Sequence, residues 1–136
     1  MFVTINMLCI LHLIFISLNN TNFTAMRLEL IQEKNNLIKE IKRLANLLDA
    51  YYGSELNFRN HCYLRIAYDC TMQSKWDLAC KTPFIKYATN KNLQTAVALL
   101  NTYFIDKKRL LADNDKSLNF RKNSANRGAT GDLRLF

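Results

Sequence analysis

Glycine and proline are scarce: the 136 residues hold three glycines and a single proline. Strand-rich sandwiches and barrels need turn residues every ten or so positions. This chain has too few to build one, and helices are the default. Also missing are a G-x-x-x-x-G-K-[ST] loop, a G-x-G-x-x-G turn, a G-x-S-x-G elbow and an H-E-x-x-H pair. Backbone cradling of a nucleotide phosphate, a hydrolase nucleophile and a zinc-protease site therefore have no sequence support.

No C-x-x-C spacing occurs among Cys9, Cys62, Cys70 and Cys80. With Cys9 set aside in the leader described below, three thiols remain, an odd number. That argues against a disulfide framework and for reduced thiols in a reducing, cytoplasmic compartment. His61, Cys62, Cys70 and Cys80 also make a poor metal set. On one helix Cys62 and Cys70 lie two turns, roughly 12 Å, apart, whereas zinc ligands sit ~2–2.3 Å from the ion. No metal and no cofactor is expected.

Charge is absent from the first twenty-five residues, which contain no Asp, Glu, Lys or Arg. Their apolar core, from Met7 to Leu18, is twelve residues long. An ordinary span takes about twenty, so no stable membrane span is expected. The length suits a signal-peptide h-region, yet no basic residue precedes it and no small-x-small cleavage site follows. The Asn, Ile and Phe bias is that of AT-rich sequence read in frame upstream of a start. The expectation is therefore that Met26 is the natural start and that a long amphipathic helix begins there. A secreted or membrane-anchored chain is the alternative, and a native element of the fold is a third.

The charges that are present are unevenly distributed. Residues 1–58 carry five basic and five acidic side chains, while residues 59–136 carry fourteen and six, which accounts for the net +8. A basic surplus of this kind favours polyanionic partners, although it also keeps a protein soluble.

From Arg27 to Tyr52, Leu30, Leu37, Ile38, Ile41, Leu44, Leu48 and Tyr51 recur at helical steps. Gly53 supplies the stop. The heptad-like Leu30, Leu37, Leu44, Tyr51 series gives a coiled-coil homodimer through this helix as a minority reading, against a bundle helix. A second helix is expected from about Glu55, capped by Ser54, to about Cys80, with a break near Gln73-Ser74. It is apolar nearly all round, as a buried central helix is. Lys81-Thr82-Pro83 ends it, and Phe84 to Ala88 form a short connector. Thr89 or Asn90 caps a third helix that runs to Ala112 or restarts at Asp106. Asp113 or Asp115 caps a short last helix, Lys116 to Lys122, and the tail from Asn123 lacks periodicity and is expected to be disordered. The expected fold is an all-α bundle of three long helices and a short fourth, spanning residues 26–122.

Two constellations are candidates for function. His61, Arg65 and Asp69 stand at i, i+4 and i+8, about 80° of arc on one helical stripe, with Trp76 nearby. Arg65 offers a fork for a phosphate or carboxylate; His61 offers a general base if a carboxylate orients it. The bland counterpart is an Arg65–Asp69 ion pair closing a gap between helices, and core packing for Trp76. Lys107, Lys108, Arg109, Arg121 and Lys122 concentrate the basic surplus as candidate phosphate contacts, interrupted by Asp106, Asp113 and Asp115. These features point to a small binding or accessory protein acting through its basic C-terminal half. Nucleic-acid binding is the first alternative, and an anionic-ligand site or enzyme at His61, Arg65 and Asp69 the second.

Overall fold

The computed structural model describes residues 2–132, with side chains over residues 7–126. The described residues are helical, without strands, as the scarcity of turn residues requires. Helix α1 runs Phe2–Tyr52, followed by a 3-10 turn, Gly53–Glu55. Then come α2 (Asn60–Met72), α3 (Trp76–Ala79), α4 (Phe84–Tyr87), α5 (Asn90–Ile105) and α6 (Lys107–Asp132).

The chain divides into two units, residues 1–35 and 36–136. In the first, helical geometry does not begin at Met26 but runs through it from Phe2. The aligned N–H and C=O groups satisfy one another whether or not the side chains carry charge, so loss of charge at residue 25 is no helix boundary. The hydroxyls of Thr21 and Thr24 donate back to the carbonyls of Ser17 (2.7 Å) and Asn20 (2.9 Å). The large apolar side chains here are exposed, among them Leu13 at 65% and Phe15 at 60%. An 18-residue window of this helix has mean hydropathy 1.3, long and apolar enough to cross a membrane by length and composition.

In the second unit, the end of α1 buries Ile41, Leu44, Ala45, Leu48 and Tyr52. These are the three- and four-residue steps of one face. Tyr52 is the inward aromatic, and Tyr51, expected on that face, lies outside, edge-on to Tyr52 and Phe104. Leu30 is exposed as well. Gly53 has φ +49°, a left-handed conformation that costs other residues about 1–2 kcal/mol, and it stops the helix.

Helix α2 is the central element, with Tyr63, Ile66, Ala67, Tyr68, Asp69 and Cys70 buried as it packs against α5 and α6. It starts at Asn60 rather than Glu55, because Ser54 is taken up by the 3-10 turn. It ends where Gln73 adopts φ 52°, placing the N–H groups of Gln73 and Ser74 on the carbonyl of Asp69. Thr89 caps α5, accepting from the Asn92 N–H at 3.1 Å. The third expected helix divides at Asp106, whose carboxylate accepts the Arg109 N–H at 3.0 Å and so caps α6. Asp113 therefore lies inside α6 and caps nothing, and the last helix is long. The tail expected to be disordered continues α6 as helix to Asp132; its last four residues, and its side chains from 127, lie outside the described residues.

Candidate functional site

The stripe on α2 faces α6, which meets it with polar groups. The Asp69 side chain is fully buried. Its Oδ1 accepts from the Trp76 backbone N–H at 2.9 Å and from Arg121 Nη2 at 3.2 Å. Its Oδ2 accepts from Ser117 Oγ at 2.6 Å and from Arg121 Nε at 2.9 Å. A carboxylate offers about four acceptor positions, and here four donors occupy them. The left-handed Gln73 matters for this arrangement, since it turns the chain so that the Trp76 N–H comes back to Asp69.

Arg65 does not pair with Asp69. It donates through Nη1 to Ser117 Oγ and through Nη2 to Asn114 Oδ1, both at 2.7 Å. Ser117, itself buried, thus accepts from one arginine and donates to the carboxylate. Burial, and then the nearby Arg121 guanidinium, push the Arg65 pKa down from its ordinary value. The expected i,i+4 pair loses because α6 presents a second arginine with bidentate access to both carboxylate oxygens, a stronger and more directional contact.

A second buried carboxylate lies one α6 turn earlier. Asp113 accepts from Tyr103 Oη at 2.8 Å and Arg109 Nε at 3.0 Å, with Lys116 Nζ at 3.7 Å. The Tyr103 carbonyl in turn accepts the Tyr52 hydroxyl, tying α1 to α5. Burial and the Asp113 contact raise the Tyr103 pKa. Burial, with Asp113 beside it, lifts the Cys70 thiol to about 11. The Tyr63 hydroxyl is buried without a hydrogen-bond partner, and desolvation lifts its pKa to about 12.

His61 and Trp76 do not join the polar cluster through their side chains. His61 lies exposed in the first turn of α2, its backbone N–H held by Asn60 Oδ1 at 2.7 Å. The Trp76 ring packs edge-on to Tyr68 and Phe84, at centroid distances of 6.1 and 5.9 Å. Tyr68 and Phe84 stack at 4.0 Å. Among the described residues no three His, Cys, Asp or Glu side chains converge as a metal ion needs, and the four cysteines are free thiols.

The basic candidates separate into two kinds. Arg109 and Arg121 each pair with a buried carboxylate, so removing either strands a charge. Lys107 meets Glu55 in an exposed pair that contributes little. Lys108 and Lys122 are exposed. Sequence reasoning missed Asn114, Ser117 and Tyr103, expected a helix cap at Asp113, and did not foresee the pairing of Arg121 with Asp69. The usable signal was register: Leu110, Asp113 and Ser117 stand at i, i+3 and i+7, two polar residues on the apolar-facing stripe of α6.

No protein-family model, curated protein or solved structure matches this chain. Its function therefore rests on its own geometry.

Proposed function

We propose that this chain is a small cytoplasmic binding or accessory protein whose contact surface is the basic exterior of its bundle. The observation that carries this reading is where the carboxylates go. Two of the acidic side chains after residue 58, Asp69 and Asp113, are buried and used up inside the fold. The lysines stay outside, leaving Lys81, Lys91, Lys107, Lys108 and Lys122 on the surface. A catalytic role for His61, Arg65 and Asp69 has less support. A histidine general base is positioned by a partner that orients its ring, whereas His61 is exposed and the acceptor positions of Asp69 are filled by four other donors. The free thiols Cys62, Cys70 and Cys80 favour a reducing compartment.

Nucleic acid is the second reading, favoured by Lys107, Lys108 and Lys122 along α6. Arg109 and Arg121 contribute little to it, because each would have to abandon a buried carboxylate. Each phosphate contact adds ~0.9 to the slope of log affinity against log salt. Three lysines give a slope of about 3, and all five cations about 4.5. A salt titration with a short DNA duplex measures it. A slope near 3 that falls in Lys108→Gln/Lys122→Gln supports the nucleic-acid reading. No binding at low salt removes that reading and leaves an acidic protein surface as the partner of the same lysines. Failure of an immobilised acidic polypeptide to retain the chain at low salt as well would overturn the binding reading itself.

A further inference from the structure

The first unit carries an apolar surface that needs an occupant. Leu13, Ile14, Phe15 and Ile16 are consecutive residues at 100° steps, so their side chains point around most of the helix circumference. All four are exposed. A helix docking on one protein groove is apolar on one stripe; one apolar all round is enclosed by a core or by lipid. Length agrees with lipid. The run counted from Met7 is twelve residues, but α1 already begins at Phe2, and Phe2, Val3 and Ile5 extend the same apolar string. Phe2 to Leu18 is seventeen helical residues, roughly 25 Å at 1.5 Å each, within the range of membrane spans. The uncharged helix then continues through Asn19, Asn20 and Asn22 to Met26, amides suited to a headgroup zone. The Thr21 and Thr24 hydroxyls are already bonded within the helix, which lowers the cost of their leaving water.

Charge after the string gives direction. Arg27, Lys34, Lys39, Lys42 and Arg43 follow it closely. Basic residues close to a span are retained on the cytoplasmic side. We propose that residues 2–18 insert as a single helix into the hydrocarbon core of a lipid bilayer, with residues 19–26 in the headgroup zone and the basic residues from Arg27 onward on the cytoplasmic face. The partner of this surface is lipid, separate from whatever the bundle's lysines bind.

The test uses the full chain in expressing cells. Membranes are washed with alkaline carbonate and the intact mass of the retained chain is measured. The expected result is an unprocessed chain in the washed pellet. Cys9 should resist a membrane-impermeant maleimide until detergent is added, as read by mass spectrometry of its peptide. Protease outside intact cells should leave the bundle uncut and digest it after lysis. Leu11→Arg/Ile14→Arg should deplete the pellet at least tenfold, while Trp76 fluorescence shows the bundle still folded. Release of the wild-type chain by carbonate would overturn the proposal. So would a chain lacking about its first twenty-five residues, whether through a cleaved signal or a start at Met26, or a soluble dimer, which makes a second copy the occupant. A bundle cut from outside intact cells overturns the orientation. None of these outcomes bears on salt-dependent binding by Lys108 and Lys122.

Discussion

Residues 2–26 and the bundle built from residues 36–126 distribute the same kinds of side chain in opposite ways. The N-terminal helix has no charge and from Met7 onward wears its large apolar residues outside; the bundle buries an apolar core and hides two carboxylates with it. Each arrangement is costly in one solvent and cheap in another. Exposed Leu and Phe lose the stabilisation that burial gives, about 1.5–3 kcal/mol per large side chain. Buried carboxylates are tolerable only when hydrogen-bonded and paired, as Asp69 and Asp113 are. The contrast shows which residues answer to the bundle's stability and which are free for a partner.

The largest expected effect breaks the pairing inside the bundle. Arg121→Ala leaves Asp69 buried beside only neutral donors and should destabilise by about 3–5 kcal/mol, read as a shift of the urea midpoint. A loss below about 1 kcal/mol would mean that the site is solvated. Next comes a matched pair of truncations that tests the two regions side by side. Leu48→Ala should cost about 2–5 kcal/mol, while Leu13→Ala should leave the same transition within about 0.5 kcal/mol. Trp76, the only tryptophan and a bundle residue, reports both.

The helical class followed from having so few glycines and prolines, and α2 as the central helix from its all-round apolarity. The break at Gln73, the cap at Thr89 and a restart at Asp106 were visible as local chemistry. What periodicity could not convey was pairing across 52 residues, from Asp69 to Arg121. Local spacing offered Asp69 the nearer Arg65. The choice between two arginines depends on how α2 and α6 meet, which no window of sequence contains. The start of α1 was misplaced for a different reason: backbone helicity is indifferent to the side-chain charge that marked Met26.

A smaller effect follows from pH. The Cys70 thiol is raised from an ordinary 9.0 to about 11, so the fold favours its protonated form. Below pH 9 folded and unfolded chains both hold that proton, and its contribution to stability is full. As pH rises from 9 through 11, the unfolded chain loses the proton first and stability falls, by about 2–3 kcal/mol. Urea midpoints measured across that range should fall, and Cys70→Ala should remove that part of the decline. Smallest is Gln73→Gly, which relieves a left-handed non-glycine residue. It should gain about 1 kcal/mol in thermal unfolding. A loss would show that the Gln73 side-chain bond to the Cys70 carbonyl outweighs the strain.

The central claim is that Asp69 belongs to an internal clamp between α2 and α6 and is not an open site. A double-mutant cycle on the full chain, Asp69→Asn against Arg121→Gln, followed by urea unfolding, tests it most directly. The clamp requires a coupling of about 2 kcal/mol or more, with each single variant costly and the double variant less so than their sum. A coupling near zero, with each single change costing under about 0.5 kcal/mol, would contradict it and return Asp69 to the list of residues free to meet a ligand.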